Sequence, residues 1–404
     1  MNVVVDTQED DEGSTEELIE NEDTLEDSGD PKLNQRDFAS LIISPSDWTV
    51  ETLHSQIGKQ IDLDPAFQRR NVWSTAAKSS FIESLFLGIP IPQILLSSRP
   101  NLKSSFLVLD GKQRLLTIKE FIDGKLPNGR DFKLKGLRVL KELEGKTWDA
   151  ISKDSEWKFR LLNETQRTAI IRGWDNEQVL YEIFYRLNSG SVKLSPMELR
   201  MSLHPGDFLK HIIDWTEKIG PLHRLLGKSK PDARMADVEL AVRYLSFADH
   251  EVQYKGDLKG FLDQICIKYN RSFKAGSDFV ERIDAKLARM NTAIVAGRRI
   301  FGHTQFCRKY LDGKYESRFN RAVFDIQIGS LCMDGVQEFA DRNQEAFVNE
   351  FVQLSSDNDF VRSLETTTKS TAATYTRFSK WYSVVERITG ISMTIPNIDH
   401  EVSN

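Results

Sequence analysis

The chain has 404 residues, more than a single small core organises, so two domains, or one domain with a helical extension, are expected. Hydrophobic residues make up 40% and charged residues 28%, as in ordinary soluble globular proteins, and no apolar run approaches the ~20 residues that a membrane span needs. The N-terminus lacks the basic and apolar regions of a signal peptide. Cys266, Cys307 and Cys332 are spaced for neither a disulfide framework nor a zinc site, so a reduced, cytoplasmic setting without structural metal is expected.

The net charge of −6 hides an asymmetry. Residues 1–30 hold 13 Asp/Glu and no Lys/Arg, which leaves 54 Lys/Arg against 47 Asp/Glu, a charge of +7, on residues 31–404. A dense acidic block without an aromatic residue cannot bury enough apolar surface to fold alone, so residues 1–35 read as a solvated, disordered tail. A second reading makes this tail a competitor of nucleic acid for a basic groove on the body.

Beyond the tail, Ser46-Asp47-Trp48 reads as an entry cap to a short helix over 50–59, and Ile61-Asp62-Leu63 alternates like a short strand. The segment Pro65 to Trp73 leads into a helix over 75–87, with Phe81, Leu85 and Phe86 on one face and Gly88 as its stop. Pro92 to Ser97 reads as a strand, Arg99-Pro100-Asn101 as a turn, and Phe106 to Leu109 as a second, wholly apolar strand. A helix over about 113–123 follows almost at once. Residues 130–165 mix short pieces, 168–171 read as a strand, and 176–187 as a helix with Val179, Ile183 and Leu187 on one side. Ser195-Pro196-Met197-Glu198 has the composition of a capping box with proline at the first helical position. Helical patterns then dominate over 205–219, 233–248, 257–269, 277–300, 318–331, 336–354 and 373–388. The expected fold class is α+β: a mixed domain over 36–210 and a mostly α-helical domain over 211–395.

The densest chemistry lies at Leu109-Asp110-Gly111-Lys112-Gln113-Arg114. An apolar strand delivers the chain to a turn where glycine permits tight backbone or a close ligand. The helix that follows offers orphan N–H groups and a positive dipole end, which together make an anion site. Lys112 and Arg114 add cationic donors, and arginine can grip a phosphate with two parallel bonds. Asp110 is placed to hold a metal ion, a ribose hydroxyl or an attacking water. Asp-Gly also occurs at such turns for backbone reasons alone, and that reading stays open.

Asp110-Gly111-Lys112-Gln113-Arg114 resembles the DGQQR motif of the GmrSD restriction endonuclease N-terminal domain family. Phe67-Gln68-Arg69-Arg70-Asn71-Val72-Trp73 resembles that family's upstream element. Phe184-Tyr185-Arg186-Leu187-Asn188-Ser189-Gly190, with Leu194-Ser195 and Glu198-Leu199-Arg200, resembles a later one, and Arg234-Met235-Ala236-Asp237 with Glu239, Leu240 and Arg243 a helix downstream. The resemblance runs over roughly residues 40–390. It implies a ParB/sulfiredoxin-like N-terminal α/β domain followed by the helical domain, and a nucleotide-binding, NTP-hydrolysing subunit of a prokaryotic DNA restriction or phage-defence system. It also implies Asp110, Gln113 and Arg114 as catalytic residues and Asp110 as the ligand of Mg2+. Gln68, Arg69, Gly111, Lys112, Arg114 and Asn188 would hold the NTP, whose base is not specified. Lys112 departs from the motif's first glutamine, adding a charge and removing an amide acceptor. Substituting Asp110 or Arg114 is expected to abolish turnover without disturbing the fold.

Several residues have plainer readings beside these. Arg69 and Arg70 also fit surface charges, Trp73 a core anchor, Asn188-Ser189-Gly190 a helix C-cap, and Arg186 an ion pair with Glu182 one helical turn back. Arg298 and His303 have an R-x4-H spacing that chance readily supplies. There is no Walker A loop, no HExxH or HxxxH pattern and no HNH-type cutting module, so a separate nuclease subunit is the expected partner, with DNA as the common ligand. No membrane contact is expected, and homo-oligomerisation is open. The alternatives are a non-hydrolysing ParB-like DNA-binding module switched by nucleotide and a metal-dependent DNA nickase.

Overall fold

The computed structural model describes residues 33–61, 63, 73–99, 102–174, 176–187, 195–274, 276–365 and 370–399. The chain divides into two units: Asp30–Pro205 with Ala233–Met235, and Gly206–Asp232 with Ala236–Asn404.

In the first unit, β1 (Ile42–Thr49), β2 (Ile94–Arg99), β3 (Leu102–Asp110) and β4 (Thr165–Arg172) form one sheet in the order β1-β4-β2-β3. β4 runs antiparallel to β1 and parallel to β2, and β2 runs antiparallel to β3. Its helices are α1 (Val50–Gln56), α2 (Thr75–Phe86), α3 (Lys112–Ile122), α4 (Trp148–Ile151), α5 (Ser155–Asn163), α6 (Glu177–Leu187) and α7 (Pro196–Leu203). Both faces of the sheet are covered. Ile94, Leu96, Val108 and Ile170 share a core with Leu53, Phe86, Leu116 and Leu161 of α1, α2, α3 and α5. The alternate residues Leu95, Leu107, Leu109, Ala169 and Ile171 share another with Val179, Leu180 and Leu199 of α6 and α7. Burial on both faces is why these strands read as unbroken apolar runs.

Three local readings change. Residues 42–49 form a strand where the sequence pointed to an entry cap. β1 is an edge strand, compatible with Pro45, and it leaves Ile42 and Ile43 about 60% exposed, so it carries little of the apolar signal of the inner strands. The cap of α1 is Thr49, whose side chain accepts from the Thr52 N–H at 3.1 Å, while Ser46 accepts from the Trp48 indole N–H at 2.6 Å. Ile61 makes only isolated bridges, to Ile57 and Phe106, in place of the expected strand. Residues 64–72 and the turn at 100–101 lie outside the described residues.

The second unit contains α8 (Asp207–Thr216), α9 (Pro221–Leu225), α10 (Ala236–Phe247), α11 (Leu258–Phe273), α12 (Ser277–Ile300), the hairpin β5 (Tyr310–Leu311) and β6 (Lys314–Tyr315), α13 (Arg321–Leu331), α14 (Val336–Arg342), α15 (Gln344–Leu354), α16 (Asn358–Glu365) and α17 (Thr371–Thr389). The expected helix over 336–354 breaks at Asn343, which leaves helical geometry at φ −127° and ψ 40°. The unexpected hairpin turns on Asp312 and Gly313, both at positive φ, as two-residue hairpin loops require. A buried ion cluster crosses this unit: Arg243 Nε and Nη2 each donate to Asp325 at 2.7 Å, and Arg377 Nη2 lies 3.6 Å from the same carboxylate. Among the described residues no helix is long and apolar enough to cross a membrane.

Candidate anion site at the β3–α3 turn

β3 does not end as a regular strand. Leu96 faces Val108 across the ladder but Leu95 faces Asp110, so Leu109 is the extra residue of a bulge. A bulge bends the strand and re-aims the side chain that follows, here Asp110. Gly111 then takes φ +93° as the N-cap of α3. A Cβ at this position would lie 3.0 Å from Ile94 Cγ1 and 3.3 Å from Arg114 Nη2, in a backbone conformation that L side chains rarely adopt. Glycine is therefore required twice here, by conformation and by packing. Having no side chain, it offers no N-cap acceptor to the first-turn N–H groups of α3.

Asp110 folds back over this helix end. Its Oδ1 accepts from the Gly111 N–H at 2.7 Å and its Oδ2 from Arg114 Nη2 at 2.8 Å. Arg114 is almost wholly buried, 7% exposed, and also donates to the Pro92 carbonyl and, at 3.4 Å, to that of Gln93. The guanidinium thus ties the Asp110 carboxylate to the chain entering β2. The Asp110 side chain remains 29% exposed and is the open edge of the turn. Gln113 sits beside it with its Oε1 buried and without a hydrogen-bond partner.

Lys112 does not project into solvent. It is 6% exposed, and its charge acts on Glu198. Glu198 is the third residue of α7: its carboxylate accepts from the Ser195 N–H at 2.6 Å while Ser195 Oγ accepts from the Glu198 N–H at 3.1 Å, forming the expected capping box. Burial raises the pKa of Glu198, against the opposing charges of Lys112 and Arg234 and the Ser195 N–H. Lys112 and Glu198 are thus both buried, and the half-buried Arg234 adds its charge to theirs. Glu198 was legible as a cap and a motif residue; its electrostatic tie to Lys112 depends on the fold.

The structure brings Asp110, Gly111, Lys112, Gln113 and Arg114 together at one helix end. Gln68, Arg69 and Asn188 lie outside the described residues. Trp73 packs edge-on against Phe81, ring centroids 5.7 Å apart, as a core anchor does. Arg186 is exposed and bonds Glu182 at 2.6 Å. In the downstream segment, buried Asp237 accepts from His223 and the Asp232 N–H, both at 3.1 Å, so it fixes local structure. Among the described residues no three His, Cys, Asp or Glu converge as a metal site.

No curated protein and no solved structure is significantly similar to the chain. Residues 50–205 match the family model described as GmrSD restriction endonuclease, N-terminal domain. This stretch begins with α1 and ends at Pro205, and it includes the 67–73, 110–114 and 184–200 elements; the 234–243 element lies beyond it. From α1 to α7, the chain carries a domain of the GmrSD restriction endonuclease N-terminal family.

Proposed function

We propose that the β3–α3 turn binds the phosphates of a nucleotide and that the chain is an NTP-hydrolysing subunit of a prokaryotic DNA restriction or phage-defence system. It would act as a sensor or regulator beside a separate nuclease. The family supports a restriction role with DNA as the shared ligand. The observation that carries the nucleotide reading is the uncapped start of α3 at Gly111, flanked by the buried, unpartnered Gln113 Oε1. A helix start supplies N–H donors and a positive dipole end to a phosphate, and the Gln113 oxygen is an acceptor waiting for a donor such as a ribose hydroxyl or a water.

Asp110 constrains how a phosphate can sit here. A carboxylate and a phosphate at one helix end repel unless a cation lies between them. Mg2+ fits this position with Asp110 as its single protein oxygen, since the ion commonly takes one or two carboxylates and completes its shell with phosphates and water. When bound it would neutralise charge on the transferring phosphate. The chain's own part is to hold the Asp110 carboxylate in place through Arg114 and Gly111, and to present the α3 N–H groups. Gln68, Arg69 and Asn188, which fall within the matched stretch, would be its further ligands to the nucleotide.

A second reading, nucleotide binding without turnover by a ParB-like module, draws on a specific observation. Arg114 spends its donors on protein acceptors and Lys112 is buried against Glu198. Neither stands ready to follow charge as it develops on a phosphate. Titrating the full-length protein with each NTP and Mg2+, with and without DNA, while recording both binding heat and phosphate release, separates the two. Release that disappears in Asp110→Ala supports hydrolysis at this turn, and heat without release supports the switch. Metal-dependent nicking of the DNA that is lost in the same variant would mean that the chain cuts.

A further inference from the structure

The helical unit encloses a cavity of about 190 Å³ that the nucleotide reading does not use. α10, α12, α13 and α17 wall it, with the chain near Thr394 and Pro396 closing one side. Five aromatic rings, those of Tyr244, Phe247, Phe324, Phe378 and Tyr382, contribute to its lining. Phe247 and Phe378 lie 5.2 Å apart, and Phe378 meets Tyr382 edge-on at 5.4 Å. The wall depends on a glycine: a Cβ at Gly329 would fall 2.2 Å from the Tyr382 hydroxyl, so only glycine lets that ring close on α13.

The lining holds Lys286 and Arg289 as its cations. Asp325 is the acid of its lining, and two arginines already face that carboxylate, Arg243 through paired 2.7 Å bonds and Arg377 at 3.6 Å. Lys286 is half-buried in the wall, where its ammonium donates to the Ala248 carbonyl at 2.9 Å, while Arg289 is exposed and already bonds Asp334 at 2.6 Å. Burial lowers the Lys286 pKa, with Lys268 and Arg282 adding to the shift and the carboxylates of Asp249 and Glu251 opposing it, and the net cost to its charge is one that an anion placed beside it would relieve. Size limits the occupant. An engineered apolar cavity of about 150 Å³ holds one benzene, whereas sites for larger ligands span about 300–1,000 Å³. A nucleotide is too large, and a single ring with one small substituent fits.

We propose that this cavity binds a small aromatic anion, one ring bearing one carboxylate, with the ring among Phe247, Phe378 and Tyr382 and the carboxylate at Lys286. Aromatic walls give the ring edge-to-face partners, and the lysine gives the acid its charge-assisted bond. The probe is para-fluorobenzoate, followed by fluorine NMR on the full-length protein, with para-fluorobenzamide as its uncharged counterpart. The acid is expected to saturate in the millimolar range or below, and the amide to bind about tenfold more weakly. Lys286→Met should bring the acid down to the amide's affinity. Ala248→Phe, at a half-exposed position of the lining, should remove binding of both. The proposal is overturned if the unaltered protein shows no saturable binding up to about 10 mM, or if it binds acid and amide equally. Binding of the acid that survives Ala248→Phe also overturns it, since the ligand then sits elsewhere. The acid–amide comparison needs no variant, so a substitution that fails to fold leaves the test intact.

Discussion

Replacing Arg114 with methionine tests whether the guanidinium is a clamp on the turn or a free ligand for phosphate. Methionine keeps most of the buried stem's volume, so the loss is chiefly polar. Arg114 donates to Pro92 and Asp110, while its 3.4 Å approach to the Gln93 carbonyl is too long to count for much. The bond to Pro92 is made by a charged group that is 7% exposed and is worth about 1.5–3 kcal/mol. The pair with Asp110 is discounted to about 1 kcal/mol, because that carboxylate is 29% exposed to screening water. The sum, about 2.5–4 kcal/mol, corresponds to a fall in melting temperature of roughly 5–15 °C for a unit of this size. Calorimetry on the full-length protein reads this directly, with Asp110→Ala as a companion expected to lose no more than about 1 kcal/mol. If Arg114→Met melts within about 1 kcal/mol of the unaltered protein yet loses nucleotide binding, the clamp is refuted and the arginine is a ligand. The sequence alone led to the expectation that Asp110 and Arg114 can each be replaced with the fold intact; the bonds of Arg114 to Pro92 and Asp110 now predict a cost in stability for its removal.

Three further outcomes follow from the same geometry. Lys112→Gln restores the residue that the DGQQR pattern has, but removes one of the positive charges that act on the buried Glu198; we expect it to cost about 2–4 kcal/mol in denaturant unfolding, and Lys112→Gln with Glu198→Gln to recover most of that. Gly111→Ala should cost more than Gly313→Ala, because both pay for positive φ but only the first meets side chains, at 3.0 and 3.3 Å; only the first should weaken nucleotide binding in calorimetric titration. For Glu83, burial works against the charge, but the N–H groups of Arg138, Val139 and Leu140 at 2.7–3.0 Å hold its pKa below the usual glutamate value. Its stabilisation is therefore full above the unfolded-state value and is lost as pH falls through the lower folded one, so the gap in stability between the protein and Glu83→Gln should close on acidification below about pH 4.5.

What could be read in advance follows burial. β2, the end of β3 and β4 are buried on both faces, and their continuous apolar runs announced them. β1 is an edge strand whose inward and outward residues do not separate cleanly in polarity, and Ser46-Asp47 looked like a cap because such residues also begin helices. The break between α14 and α15 at Asn343 interrupts no apolar pattern, since Phe339, Phe347 and Phe351 keep helical spacing across it. At the site, the residues contiguous in sequence were legible from 110 to 114. The carbonyls of Pro92 and Gln93 were not, because backbone acceptors leave no mark in a sequence. Nor was the link between Lys112 and Glu198, which joins residues far apart in the chain.

The tetrapeptide Leu-Asp-Gly-Lys occurs twice, at 109–112 and at 311–314, and the two copies show what makes the first a candidate site. At 312–313 both residues take positive φ, the strands β5 and β6 reverse on them, and a Cβ on Gly313 would meet nothing within 4 Å. That turn is backbone punctuation, the plain reading that the sequence left open for Asp110-Gly111. At 110–111 only the glycine takes positive φ, the chain runs on into α3, and the glycine is hemmed in by Ile94 and Arg114. Residues downstream decide between the two outcomes. Gln-Arg-Leu-Leu continues as a helix with Leu115 and Leu116 buried in the core, while Tyr315 pairs back across the hairpin with Tyr310. The helix supplies the aligned N–H groups, and Arg114, which has no counterpart at 316 where Glu316 stands, holds the aspartate over them. What sets the first copy apart is the coupling of Asp-Gly to a buried arginine one helical turn on, and the hairpin copy is its internal control: under the proposed function, Asp312→Ala should leave NTP turnover unchanged and Asp110→Ala should abolish it, and equal loss in both would remove the turn at 110–114 from the mechanism.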